Sequence, residues 1–226
     1  MAVVAAYLYR DGVRTRQVSI DAKVDCAGQK SEFGWIGLND PTAEEMRSLQ
    51  ECYDLHPLAV EDALKGKQLP KIDVYDDQLF VVARTARLAE EHIDYGETAV
   101  FVGHSHIITV RHGSTRAHTA LREQLEKAPR LLMHGVDYLL HAILDYIIDG
   151  YLPLIEELEE EVLEMENAMD SFLQQQEINR IFDVRRELIR FQRVLGPMGE
   201  VAQKLARQEL PCIDAEARIY FRDVQD

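Results

Sequence analysis

A chain of 226 residues with 46% hydrophobic side chains is long and apolar enough to bury a packed core in one large domain or two small ones, which excludes a disordered segment. Forty acidic against twenty-five basic residues leave a formal charge of −15, which repels nucleic-acid phosphates and anionic lipid headgroups, so nucleic acid is not an expected partner and cations or basic protein surfaces are. The three cysteines, Cys26, Cys52 and Cys212, form no CxxC pair, so neither a disulfide framework nor a thiolate zinc site is expected, and the chain fits a reducing cytosol.

In chain order, residues 3–9 are a short apolar run, Asp11-Gly12 follows, and 13–20 is a second run, which together predict a β-hairpin. Residues 33–38 predict another strand, and Asn39-Asp40-Pro41-Thr42 turns out of it into a helix. Thr42 and Glu45 form a capping box there, and Met46, Leu49 and Tyr53 supply the inner face. A second short helix has His56 and Pro57 at its cap and first turn, Val60, Ala63 and Leu64 inward, and Gly66 at its end. Residues 79–88, 98–102 and 106–112 read as three further strands, with Gly103-His104-Ser105 as the last turn. From Thr115 the period becomes helical. Residues 1–134 are therefore expected to be an α/β (α+β) layered domain with a mixed sheet.

The rest is helical. From 136 to about 169, Leu140, Ile143, Leu144, Ile147, Ile148, Leu152, Ile155, Leu158, Val162, Met165 and Met169 keep three-four spacing and predict one long helix kinked at Pro153. The longest apolar stretches, such as 138–144, are interrupted by His141 and fall short of the roughly 18 residues of a membrane span, so this piece is expected to be soluble. A second long helix, from about Phe172 to Leu195, places Phe172, Ile178, Ile181, Phe182, Leu188 and Ile189 inward and Arg180, Arg185, Arg186, Arg190 and Arg193 outward. Gly196-Pro197 bends it, and 198–208 continues. Pro211 breaks the chain, Asp214 offers an N-cap, and Ile213, Ala217, Tyr220 and Val224 form a stripe that meets no closing Gly or Asn. That predicts a helix running on past Asp226 in a longer molecule. Residues 135–226 are thus expected to be a hairpin of long antiparallel helices and the start of a stalk helix, with helix-to-helix assembly covering the surplus apolar surface.

Four runs in this order resemble the CorA family of divalent-cation channels: Leu55-His56-Pro57-Leu58-Ala59-Val60-Glu61-Asp62, Gln68-Leu69-Pro70-Lys71-Ile72, Tyr138-Leu139-Leu140, and Tyr220-Phe221-Arg222-Asp223-Val224-Gln225-Asp226. The resemblance covers nearly the whole chain, and HPLxxED, QxPK and YFRDVxD in succession are not a product of generic helices. It implies the cytoplasmic funnel of a homopentameric Mg²⁺ channel, with Co²⁺ and Ni²⁺ as further candidate cargo. The family's membrane spans and GMN pore signature would lie beyond these residues. The chain would then be the cytoplasmic portion of an inner or plasma membrane protein, with copies of itself and divalent cations as partners.

The same resemblance implies a regulatory Mg²⁺ between neighbouring subunits, held by Asp62 and Asp223, with Glu61, Asp226 and Asp145 matching acidic residues of a second site. Mg²⁺ suits such a place because it takes oxygen ligands, keeps several waters and needs only one or two carboxylates. Facing carboxylates without metal repel, so a ring clamped at high Mg²⁺ would splay at low Mg²⁺, a feedback on uptake. Zn²⁺ transport within the same superfamily is the alternative, although an all-oxygen site suits a harder ion.

Read without the resemblance, Glu61, Asp62, Asp223 and the run from Glu156 to Glu161 are solvated helix-face carboxylates. His104 and His106 flank Ser105 as an HxH pair with no third ligand near in sequence. There is no Gly-rich phosphate loop, GxSxG elbow or HExxH, so no enzyme is expected. A helical scaffold that binds only proteins is the other alternative, and it would be indifferent to Mg²⁺.

Overall fold

In the computed structural model, which describes residues 2–24, 26, 29–89, 92–113, 117–168 and 175–225, the first element is the expected hairpin. Strands β1 (Val3–Arg10) and β2 (Val13–Gln17) pair antiparallel across Asp11 and Gly12, whose φ angles of 51° and 74° match the right-handed twist of the strands they join. Strand β3 (Glu32–Asn39) lies along the other edge of β1. Helix α1 (Ala43–Tyr53) opens on the Thr42–Glu45 capping box, and α2 (Pro57–Lys65) opens with the Leu58 N–H donating to His56 Nδ1. Val60 and Ala63 are buried together with Ala59, and Leu64 is half-buried.

Strands β4 (Lys71–Tyr75), β5 (Gln78–Ala89), β6 (His92–Gly103) and β7 (His106–His112) complete one seven-stranded sheet in the order β2-β1-β3-β7-β6-β5-β4. The sheet is mixed, as expected, because β3 and β7 run parallel between antiparallel pairs. Strand β4 had no counterpart in the reading of the sequence. It is an edge strand with Ile72 as its one buried residue, too little alternation to register as a pattern.

Side chains alternate across the sheet and give it two apolar faces. Leu8, Ile36, Leu38, Phe80, Val82, Phe101 and Val110 pack under α1 and α2. Tyr9, Phe33, Trp35, Leu79, Val81, Val100 and Ile107 face α3 (Thr119–Glu126), α4 (Pro129–Leu132) and α5 (Val136–Ile148). Residue Thr115, where the helical period was expected to begin, lies outside the described residues.

The expected kink takes the form of a 3₁₀ turn, Asp149–Tyr151, between α5 and α6 (Leu152–Ala168). Pro153 carries no N–H for the Asp149 carbonyl, so the turn preceding it tightens. The span Val136–Asn167 is long and apolar enough to cross a membrane by length and composition, which the shorter reading of residues 138–144 did not anticipate, but 56% of its most apolar window is buried within the fold. Met169 and Phe172 lie outside the described residues.

Helix α7 (Gln175–Arg207) runs without a break through Gly196 and Pro197. Its inward stripe is Val184, Phe191, Val194, Met198, Val201, Ala202 and Leu205, whereas Phe182, Leu188 and Ile189, expected inside, are exposed at 53%, 42% and 48%. Phe182 and Ile189 each stand two residues, or roughly 200° of helix rotation, from Val184 and Phe191, so α7 carries two apolar stripes and the fold buries one. The outward arginines are exposed as expected, and Arg180 reaches Glu161 at 3.0 Å on α6.

Helix α8 (Arg218–Gln225) begins three residues later than an Asp214 cap would place it. Asp214 instead pairs with Lys30, and its carbonyl accepts from the Ala217 N–H in a turn that precedes the helix. Phe221 and Val224 are buried, Ile213 and Ala217 with them, and Tyr220 is half-buried.

Candidate metal centre

His141 and Asp145 lie four residues apart on α5 and therefore share one face of it. Helix α8 crosses that face through an aromatic contact. Tyr220 stands edge-on to Tyr138 with ring centres 5.2 Å apart, and Phe221 stands edge-on to His141 at 5.9 Å. This packing delivers Asp223, two residues beyond Phe221, to the polar end of the contact. One ligand atom each from His141, Asp145 and Asp223 lies within 4.8 Å of the others.

The electrostatics of the three groups suit a cation. His141 is buried, and neither ring nitrogen has a hydrogen-bond partner among the described residues. Burial lowers its pKa against the opposing pull of Asp145 and Asp223, so the imidazole is held neutral with a lone pair to offer. The Asp145 carboxyl is raised, by burial first and by Asp149 next, while His141 opposes and Asp223 adds to the rise. Asp223 is exposed. No lysine or arginine forms an ion pair with either aspartate among the described residues. Two carboxylate oxygens and an orphaned imidazole nitrogen fit a divalent ion, which takes such ligands and completes its shell with water.

The other predicted ligands stand elsewhere on the chain. Asp62, on α2, accepts from Lys71 Nζ at 2.7 Å, and Lys71 also reaches Asp73 at 2.7 Å. The Gln68 amide donates to Asp62 at 3.4 Å, and its backbone N–H to buried Glu97 at 2.7 Å. The two runs HPLxxED and QxPK are thus tied to each other, α2 to the start of β4. Glu61 pairs with Lys65 one turn along. Asp226 lies outside the described residues. The structure therefore brings Asp145 and Asp223 together, and leaves Asp62 and Glu61 in ion pairs of their own.

The remaining histidines named in the sequence stand apart from this cluster. His56 caps α2 and stacks on Tyr75 with ring centres 4.0 Å apart. His106 turns inward against Tyr53 at 4.7 Å while His104 is exposed, so the HxH pair does not converge. Sequence reading missed His141, noted only as a break in an apolar run, although its spacing to Asp145 was a usable signal.

Residues 30–226 match the family described as CorA-like Mg²⁺ transporter protein. The putative metal ion transporter YfjQ of Bacillus subtilis is 28% identical over 192 residues, which cover 85% of this chain and 60% of that protein. The cobalt/magnesium transport protein CorA of Thermotoga maritima is 22% identical over 196 residues, 85% of this chain and 56% of that protein. The chain thus spans little more than half the length of the curated relatives it matches. The soluble domain of CorA from Methanocaldococcus jannaschii shares the fold, with a TM-score of 0.78 at 20% identity over 100% of this chain and 88% of that one. A family match that begins at residue 30 and takes in five of the seven strands, the long helices and the cluster of His141, Asp145 and Asp223 places this chain in the CorA-like Mg²⁺ transporter family.

Proposed function

We propose that these residues form the cytoplasmic, cation-sensing part of a homo-oligomeric transporter of divalent cations, Mg²⁺ first and Co²⁺ or Ni²⁺ as further cargo. The observation that carries this reading is the convergence of Asp145 and Asp223, from two different helices, on unpartnered His141. A divalent ion there supplies the positive charge that turns repulsion between the two carboxylates into attraction. Asp145 and Asp223 then hold α8 against α5, and without that charge they push α8 away. Asp62 and Glu61 of a neighbouring copy are the further ligands the family resemblance offers, and Lys71 must yield before Asp62 can serve. The exposed stripe of Phe182, Leu188 and Ile189 on α7 leaves apolar surface for that neighbour.

His141 supports a second reading of the ion. An imidazole nitrogen beside two carboxylates suits borderline ions such as Co²⁺, Ni²⁺ or Zn²⁺ better than Mg²⁺, which prefers oxygen. Scanning calorimetry tests both readings: millimolar Mg²⁺ or micromolar Co²⁺ raises the melting temperature, and Asp145→Asn with Asp223→Asn removes the rise. A chain whose melting is unmoved by either ion is not a sensor.

A further inference from the structure

A second concave site shares no residue with the metal centre. Ala5, Gly37 and Thr109 stand side by side in register across β1, β3 and β7, and three small residues in a row leave the sheet hollow beneath α3. The hollow is a cavity of about 190 Å³, room for several waters and hence for one tetrahedral ion. A Cβ on Gly37 would stand 3.4 Å from Thr109 Oγ1 and 3.7 Å from Arg122 Nη2, so the missing side chain opens the floor onto the guanidinium.

The walls are cationic. Arg122 and His118 come from α3 and its N-terminal turn, Arg111 from β7, and Arg14 from β2. Arg122 and Arg111 are each 7% exposed and His118 is 6% exposed. The Arg122 guanidinium lies over Trp35 at 4.0 Å and Tyr7 at 5.3 Å, yet among the described residues its Nη1 has no hydrogen-bond partner, and neither do the two ring nitrogens of His118. Glu123 and Glu126 also line the cavity. Glu126 is engaged by the Tyr9 hydroxyl at 2.8 Å and by Arg14 at 3.6 Å, and no carboxylate forms an ion pair with Arg122 among the described residues. Buried cations are ordinarily paired, because an uncompensated one is costly. Glu126 acts on Arg122 only from a distance, its own oxygen taken by Tyr9 and Arg14, and a buried arginine with no carboxylate in contact, in a chain of formal charge −15, marks a place kept for an anion from outside.

We propose that this cavity binds a small oxyanion, namely phosphate, free or as the phosphoryl group of a small metabolite. Arg122 Nη1 and one His118 ring nitrogen donate to it, and Arg111 adds positive charge. Burial first, and the positive charges of Arg111 and Arg122 next, hold the His118 imidazole down to about 3, and an anion in the cavity would offset the second of these causes.

Trp35 is the chain's single tryptophan and lies directly under Arg122, so its fluorescence reports on the cavity. Inorganic phosphate is titrated at constant ionic strength against chloride, with a chelator present to keep the metal centre out of play. The expected result is a saturable change in Trp35 emission and a rise in melting temperature with phosphate alone. Arg122→Met weakens binding by about tenfold or more, the worth of one charged hydrogen bond, and His118→Gln weakens it less. Glycerol phosphate binding more tightly than phosphate identifies a metabolite as the ligand, and equal binding identifies the free ion. No saturable response in the parent chain, whatever the variants do, or a response that Arg122→Met retains in full, overturns the assignment.

Discussion

The carboxylates of Asp145 on α5 and Asp223 on α8 offer oxygens within 4.8 Å of each other, a like-charge pair held in place by the packing of Phe221 and Tyr220 rather than by any attraction of its own. Two unit charges about 5 Å apart repel by about 1 kcal/mol in bulk water and about 3 kcal/mol at an effective dielectric near 20. Asp223 is exposed, so the lower figure applies. Asp223→Asn should therefore stabilise the metal-free chain by about 1 kcal/mol and lose the stabilisation that Mg²⁺ confers. Calorimetry with and without Mg²⁺ checks both, and a variant as responsive to Mg²⁺ as its parent would remove Asp223 from the centre.

His141→Phe preserves an aromatic ring among Tyr138, Tyr220 and Phe221 and removes the nitrogen ligand. Co²⁺ affinity should fall by at least tenfold while Mg²⁺ affinity changes little, because loss of a ligating imidazole penalises borderline ions. Isothermal titration with each ion measures the difference. Unchanged affinity for both ions would show that His141 supports the site by packing alone.

His106, buried beside Tyr53, has its pKa lowered from 6.5 to about 4, by burial first and by Lys23 next, with Asp77 opposing. The folded chain thus resists a proton that the unfolded chain accepts, so this contribution is whole above pH 6.5 and is lost as pH falls toward 4. By pH 5, still above the carboxylate range, about 2 kcal/mol of stability should be gone. His118, lowered to about 3, adds to the loss with the same sign. Urea unfolding at pH 7 and pH 5 gives the drop, and His106→Leu should reduce it.

Gly12 has a φ of 74°, and a Cβ there would stand 1.9 Å from the Pro129 carbonyl oxygen, so the β1–β2 turn rests directly on the start of α4. Gly12→Ala combines left-handed strain with a backbone collision and should cost about 2 kcal/mol or more. Asp11→Asn, at a position whose φ is also positive but whose residue type tolerates it, should cost little. Thermal melts of the two variants side by side test the pairing of turn and helix.

Much of the fold was legible because its signals are local. The hairpin followed from Asp11-Gly12 between apolar runs, and the start of α1 from Thr42 and Glu45 three residues apart. A kink followed from Pro153, although its form as a 3₁₀ turn between two helices did not. Asp214 failed as a cap because its carboxylate had a better partner in Lys30, far away in the chain, and strand β4 went unseen because an edge strand needs little apolar alternation.

What the sequence by itself determined is what neighbouring residues can settle among themselves: turns, caps, helical periods, and the ordered motifs HPLxxED, QxPK and YFRDVxD with the family they mark. Only the tertiary structure decided that α7 buries Val184 and Phe191 rather than Phe182 and Ile189, that Asp62 meets Lys71, and that Asp223 arrives beside His141 and Asp145. The physical reason is that a hydrogen bond across three or four residues is fixed by local geometry. The choice between two apolar stripes, or the partner of a charge, is made by whichever packing of whole helices on the sheet removes the most apolar surface from water.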